Sequence, residues 1–379
     1  MHSVLIHRTR KVRLFTVFLG LFTIILVLAG CGNSGNSGSA STTGGGKGCT
    51  KVGVLLPETS SSPRWETYDH PLLVSSIKQA LPGVTVDETN AGGSSSVQQS
   101  QAEADLTRGD CILVVGAHDS SAAASIVTAA KRQNVPVIAY DRLIQSNDLN
   151  YYVSFDNVQV GKLQGQYIVD HYQSYVSSGH SNIAFIKGSP TDNNALLFSQ
   201  GAHDALDPII QGGKLTNVYE QYTPDWDAAK GQQEMEAALT KNSNNIQAVL
   251  ASNDDLAGGA IQALDPQNLA GKVIITGQDA TVPGLQRILK GTQSMTVYKP
   301  IVKEAQATAN LVAAISKGTS VSSLINGSVK TQGGASIQSV LETPISVDKS
   351  NIASTVIADN FVTKQQICAG IPAGTDGVC

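Results

Sequence analysis

Aromatic side chains are scarce in this chain: ten Tyr, seven Phe and two Trp amount to 5% of its 379 residues. A core built around large rings is excluded, and the small and branched aliphatics that prevail suit close packing of sheet against helix. Charge is sparse as well, 15% of residues with a net of −4, and cations cluster only at Arg8, Arg10, Lys11 and Arg13. The basic face that nucleic-acid binding needs is therefore missing. No GxxxxGK[ST] phosphate loop, GxSxG elbow or HExxH pair occurs, and no GxGxxG turn follows any of the apolar strand-like runs. Nucleotide, dinucleotide, serine-hydrolase and zinc-hydrolase chemistry all lack their usual framework, and no cofactor or metal is expected.

Only five cysteines are present. Cys31 closes "LAGC", after the cationic cluster and an apolar run from Leu14 to Leu28. That run is short of the roughly 20 residues of a membrane-spanning helix, and its order of charge, apolar stretch and small residues reads as a lipoprotein signal, residues 1–30. Cleavage before Cys31 would leave its thiol to carry lipid, placing the chain outside the cytoplasm and tethered to a membrane. Residues 31–48, rich in Gly, Ser, Thr and Asn, read as a flexible tether. The remaining cysteines are even in number, as disulfides in an exported chain require. Cys49 and Cys111 each open an apolar strand-like run; as neighbouring parallel strands these would bring the two thiols to one sheet edge, which pairs Cys49 with Cys111 and leaves Cys368 with Cys379.

About 330 residues follow the tether, enough for two domains. Near-continuous apolar runs recur at 52–57, 111–117, 135–141, 182–188, 246–254 and 272–279, the pattern of strands buried on both faces. Small-residue helical stretches such as 120–134 and 255–265 lie between them. Strand–helix–strand alternation predicts an α/β fold of two similar, Rossmann-like parallel-sheet domains, with ligand contacts at the carboxyl ends of strands.

The residues at those ends are Arg64 and Trp65, Asp141 and Arg142, Asn193 and Asn194, Asn253, Asp279 and Lys299. Trp226 sits in a second proline-flanked loop, "YTPDWD". Singly, each has a structural explanation: a helix cap for Asp141 or Asp279, a turn for Asn193 or Asn253, a solvated Lys299, a domain-edge Trp226. Together they supply carboxylates, guanidinium forks and amides for paired bonds to hydroxyls, and two exposed indoles as faces for a sugar ring. Asp141 and Asp279 as the acid and base of a glycosidase form a weaker reading, since no glycosidase pattern surrounds them.

"RWE", "VIAYDR", "YVSFDNVQVGKLQ", "GSPTDNNA", "VLASNDDLAGGAIQAL", "ITGQDA", "GTQSMTVYKP" and "ETPISVDKSNI" together resemble the D-xylose-binding proteins of bacterial ABC sugar importers, over nearly all of residues 50–360. The resemblance implies a type I periplasmic-binding-protein fold, not an enzyme: a monomer with a monosaccharide, D-xylose first, in the cleft between its lobes, and importer permease subunits as partners. It implies lobes of 50–155 plus 299–341 and of 156–298 plus 342–379, with crossings near Phe155–Asp156, Tyr298–Lys299 and Leu341–Thr343. The implied sugar contacts are Arg64, Trp65, Asp141, Arg142, Asn194, Trp226, Asn253, Asp279 and Lys299. Relatives that bind glucose, arabinose or galactose, and a sugar sensor serving a receptor or kinase, are the alternatives. A LacI-like regulator is contradicted by the signal sequence. The lead-in "PETSSSPRW" is closer to relatives that bind several sugars, and the tail after residue 365, with its cysteine pair, is outside the resemblance.

Overall fold

The computed structural model describes residues 45–59, 62–175 and 181–379. The signal segment 1–30, Cys31 and the tether up to residue 44 lie outside the described residues. Residues 45–48, which composition assigns to the tether, form a turn in which the Gly48 N–H donates to the Ser316 carbonyl at 2.7 Å. Among the described residues no helix is long and apolar enough to cross a membrane.

Strands β1 (Lys51–Leu56), β2 (Thr85–Asn90), β3 (Ile112–Val115), β4 (Val137–Tyr140) and β5 (Tyr151–Phe155) lead into β6 (Asn182–Lys187), β7 (Thr216–Tyr222), β8 (Ala248–Ala251) and β9 (Ile274–Ile275). Then come β10 (Thr296–Tyr298), β11 (Gly327–Lys330), β12 (Ser336–Glu342) and β13 (Ile345–Val347). The first sheet has the order β11-β12-β5-β4-β3-β1-β2 and is parallel except for the edge pair β11/β12. The second has the order β7-β6-β8-β9 and is wholly parallel. β10 and β13 form a small antiparallel pair beside it.

In both sheets the first strand lies inside, the second to its outer side and the third to its inner side, so each has a crevice where the strand order reverses. The apolar runs are apolar throughout because both faces are covered. Val54, Val114 and Ile138 pack against the helices 70–80 and 301–317, whereas Leu55, Leu113 and Val137 pack on the other face against 95–108 and 124–132. β6 and β8 divide their residues between two apolar layers in the same way.

The chain passes between the sheets three times, after Phe155, Tyr298 and Glu342, and two of these passages are joined by the Asp156 N–H donating to the Glu342 carbonyl at 3.0 Å. β1 and β3 pair in register Val52↔Ile112. Their preceding cysteines meet at the same edge, and Cys49–Cys111 is a disulfide with its Cα atoms 5.5 Å apart. Cys368–Cys379 is the second.

Candidate functional site

The carboxyl ends of the two sheets face one another across a narrow cavity. Its wall contains Arg64, Trp65, Asp141, Arg142, Asn194, Trp226, Asn253, Asp279 and Lys299, together with Ser62, Asp192, Phe198 and Gln278, which sequence reasoning did not single out. No lining residue is more than 7% exposed.

Arg64 opens the helical turn that follows β1. Its Nε and Nη2 donate to the two carboxylate oxygens of Asp69 at 2.8 and 2.7 Å, Nη2 also reaches Glu304 at 3.2 Å, and Nη1 donates to Asp141 Oδ2 at 2.8 Å. Asp141, just past β4, is neither a helix cap nor an ordinary strand residue: its φ is 59°. Its carbonyl accepts from Ser154 Oγ at 2.7 Å, Tyr152 Oη at 2.9 Å and Asn194 Nδ2 at 2.9 Å. Its carboxylate takes Arg64 and stands 3.4 Å from Lys299 Nζ. Burial alone would raise this carboxyl; Arg64, then Lys299 and Arg142, outweigh burial and hold it below the ordinary carboxylate range. Lys299 also stands 3.3 Å from Asp279, another non-glycine residue with positive φ, at 90°. Asp279 is not a helix cap either, for Thr281 caps the helix that follows.

Arg142 joins the two sides. Its Nη2 donates to Glu58 at 2.5 Å, and its Nε forms an ion pair with Asp192, beyond β6, at 2.8 Å. Asp192 caps the helix 193–211 by accepting from the Asn194 N–H at 2.8 Å, and takes the Trp226 indole N–H at 3.2 Å. A polar residue immediately before an apolar-periodic run is a recognised helix-start signal, so Asp192 could have been read from "SPTDNNA". Asn253 caps the helix 254–264 through Leu256 N–H at 2.9 Å and lines the cavity as well. Asn193, its neighbour Asn194 notwithstanding, is turned elsewhere, bonded to Gln145 Nε2 at 2.7 Å.

The two indoles correct the expectation that they are exposed. Trp65 is 1% exposed and Trp226 5%. Trp65 packs edge-on against Tyr140 with the guanidinium groups of Arg64 and Arg142 4.7 and 5.2 Å from its ring; Trp226 lies over Gly188, where a Cβ would overlap its ring. Both stay in the cavity wall. Lys299, expected as solvated on the plainer reading, is 3% exposed.

Three carboxylates, Asp141, Asp192 and Asp279, balance three cations, Arg64, Arg142 and Lys299, in the wall. Each of these cations is already paired with a carboxylate, in the wall or behind it, so none is left over for an anionic ligand. Ser62 Oγ, Trp65 Nε1 and Gln278 Oε1 are buried in it without a hydrogen-bond partner within the protein, and orphaned groups of this kind cost about 1–3 kcal/mol each. A ligand carrying several hydroxyls can satisfy them. Among the described residues no cluster of His, Cys, Asp and Glu could hold a metal ion.

Residues 52–320 match the family model described as the periplasmic binding protein domain. The chain is 41% identical over 317 residues to a D-xylose-binding periplasmic protein of Haemophilus influenzae, covering 84% of this chain and 92% of that one. Its identity to the D-xylose-binding periplasmic protein of Escherichia coli K12 is 39% over 319 residues, with the same coverage. Among solved structures, an ABC transporter solute-binding protein of Clostridium phytofermentans with bound β-D-glucose superposes with a TM-score of 0.75 at 30% identity, covering 84% of this chain and 99% of that one. With its two parallel sheets facing one cleft, the chain belongs to the periplasmic binding protein family and has the type I fold of that family.

Proposed function

We propose that this chain is an extracytoplasmic receptor that captures a neutral monosaccharide, D-xylose first, and delivers it to an ABC importer. The observation that carries the reading is the convergence of nine sequence-selected residues on one buried cavity whose cations are all paired with carboxylates, in a chain 41% identical to a D-xylose-binding protein. On this reading residues 50–155 with 299–341 form one lobe and 156–298 with 342–379 the other. Sugar bridges both, and the closed form is favoured by contacts made only there. The permease subunits then receive that closed form, and lipid on Cys31 holds the receptor at the membrane. Asp141, Asp279, Asn194 and Asn253 serve the hydroxyls, Arg64, Arg142 and Lys299 donate, and the two indoles present apolar faces. Hydroxyl-matching sites discriminate strongly because a wrong epimer leaves buried groups unpaired.

A hexose is the second reading, favoured by the glucose bound in the Clostridium phytofermentans structure. A thermal-shift and tryptophan-fluorescence titration of residues 49–379 with D-xylose, D-glucose, L-arabinose, D-galactose and D-ribose separates the two. A ligand at one hundred times its Kd stabilises by about 2.7 kcal/mol. Stabilisation by D-xylose alone supports the first reading, stabilisation by D-glucose the second, and no response to any of the five overturns both.

A further inference from the structure

The C-terminal segment packs on the back of the turn that carries Arg64 and Trp65. Phe361, 9% exposed, stacks on Tyr68 with ring centroids 4.4 Å apart and planes at 23°, and meets Tyr298 at 4.9 Å. Tyr68 belongs to the same turn as Asp69, whose carboxylate fixes the Arg64 guanidinium through two bonds. Tyr298 precedes Lys299. One ring thus touches both backbone segments that deliver the two cations holding Asp141.

Phe361 is itself held from several directions. Its N–H donates to the Val356 carbonyl at 3.0 Å. Thr363 then starts the helix 364–368 with reciprocal side-chain and backbone bonds to Gln366, a capping arrangement that fixes where the helix begins. Ile367 and Val378 bury against Leu285 and Ile288, and Gln286 Nε2 donates to the Gln366 and Ala369 carbonyls at 3.1 and 3.3 Å. The Cys368–Cys379 disulfide closes this segment on itself. The family model ends at residue 320, so this brace lies outside the part of the chain that the model describes.

We propose that Phe361, held by the cross-linked C-terminal segment, is a positioning residue for the binding site: it sets the turn that carries Arg64 and Trp65 against the backbone that carries Lys299. The inference rests on the monosaccharide reading above. Loss of the ring frees Tyr68, and with it Asp69 and the guanidinium whose place Asp69 determines, while no residue of the cavity wall is itself substituted.

The test begins with the wild-type chain and D-xylose, or D-glucose if that is the sugar that stabilises it. A wild type that binds none of the five sugars overturns the functional reading itself, before any variant is made. Given binding, Phe361→Ala is expected to weaken it about five- to tenfold, the scale of one aromatic pair, and Phe361→Tyr to restore it. Cys368→Ser/Cys379→Ser, which loosens the segment and leaves the ring, is expected to weaken binding in the same direction. It provides the readout if Phe361→Ala does not fold. The control is Cys49→Ser/Cys111→Ser, at the far edge of the first sheet, expected to lower Tm without changing Kd. Phe361→Ala binding as tightly as wild type, or the control pair losing the same affinity for the same loss of Tm, overturns the inference.

Discussion

Asp141 combines a left-handed backbone with a carboxylate held between two cations. Three donors converge on its carbonyl and two cations on its side chain, and Asp tolerates φ near 59° better than most residues. Asp141→Asn keeps the shape and removes the charge that offsets Arg64 and Lys299. A hydroxyl hydrogen-bonded to a charged group contributes about 1.5–3 kcal/mol, so calorimetric titration is expected to show sugar affinity falling by about one to two decades, with the fold retained by circular dichroism. Unchanged affinity removes Asp141 from the binding site. The types of these residues were legible at strand ends in the sequence; their surroundings were not. Trp65 was expected as an exposed face, yet the guanidinium groups that cover it come from Arg64 beside it and from Arg142, which is 77 positions away. Burial of that kind comes from residues that only the fold brings together, Tyr140 and Arg142 on Trp65, and leaves no local pattern.

Elements were readable in proportion to how deeply they are buried. β1, β3, β4, β6 and β8 stand out as apolar runs because both their faces are covered. The edge strands β2, "TVDETN", and β7, "TNVYEQY", are half-exposed and carry no such signal. The base of the first sheet holds a feature with a measurable consequence. Asp105, from the helix 95–108, and Asp110, before β3, both turn a carboxyl oxygen toward Gly53 of β1, where a Cβ would stand 2.7 and 3.2 Å from them. Burial foremost, then Asp110 beside it, pushes Asp105 up to about 7; burial foremost, then Asp87, pushes Asp110 up to about 6, with Lys51 and Arg108 opposing. Carboxyls raised in the folded state keep protons that the unfolded chain releases above roughly pH 4. Their contribution is full below that pH and is lost as pH rises through about 6 and about 7. Urea midpoints are therefore expected to fall between pH 5 and pH 8, and Asp105→Asn to flatten that fall. A slope identical in the variant would place the pH dependence elsewhere.

Across the whole molecule, the two sheets are joined by their three backbone passages and by polar contacts between the loops that follow β3, β4 and β6. The alternation of strand and helix announced two sheets, and the resemblance supplied the crossings. These loop contacts were not legible, because each is a pairing of segments distant in sequence. Ser120 N–H donates to the Thr191 carbonyl at 2.9 Å, Asn193 N–H to Ser120 Oγ at 3.0 Å, and Gln145 Nε2 to Asn193 Oδ1 at 2.7 Å. On the proposed mechanism these bonds exist only when the lobes are shut, so they act on release more than on capture: the encounter of sugar with an open cleft does not involve them. Asn193→Ala removes the Gln145 bond while leaving the cavity wall intact, because Asn193 does not line it. A net hydrogen bond of about 0.5–1.5 kcal/mol corresponds to a dissociation rate faster by about two- to twelvefold. Stopped-flow fluorescence is expected to show that increase with the association rate nearly unchanged. An equal loss in both rates would mean that Asn193 shapes the open cleft instead, and no change in either would mean that closure is secured by the sugar and by the Arg142–Asp192 pair alone.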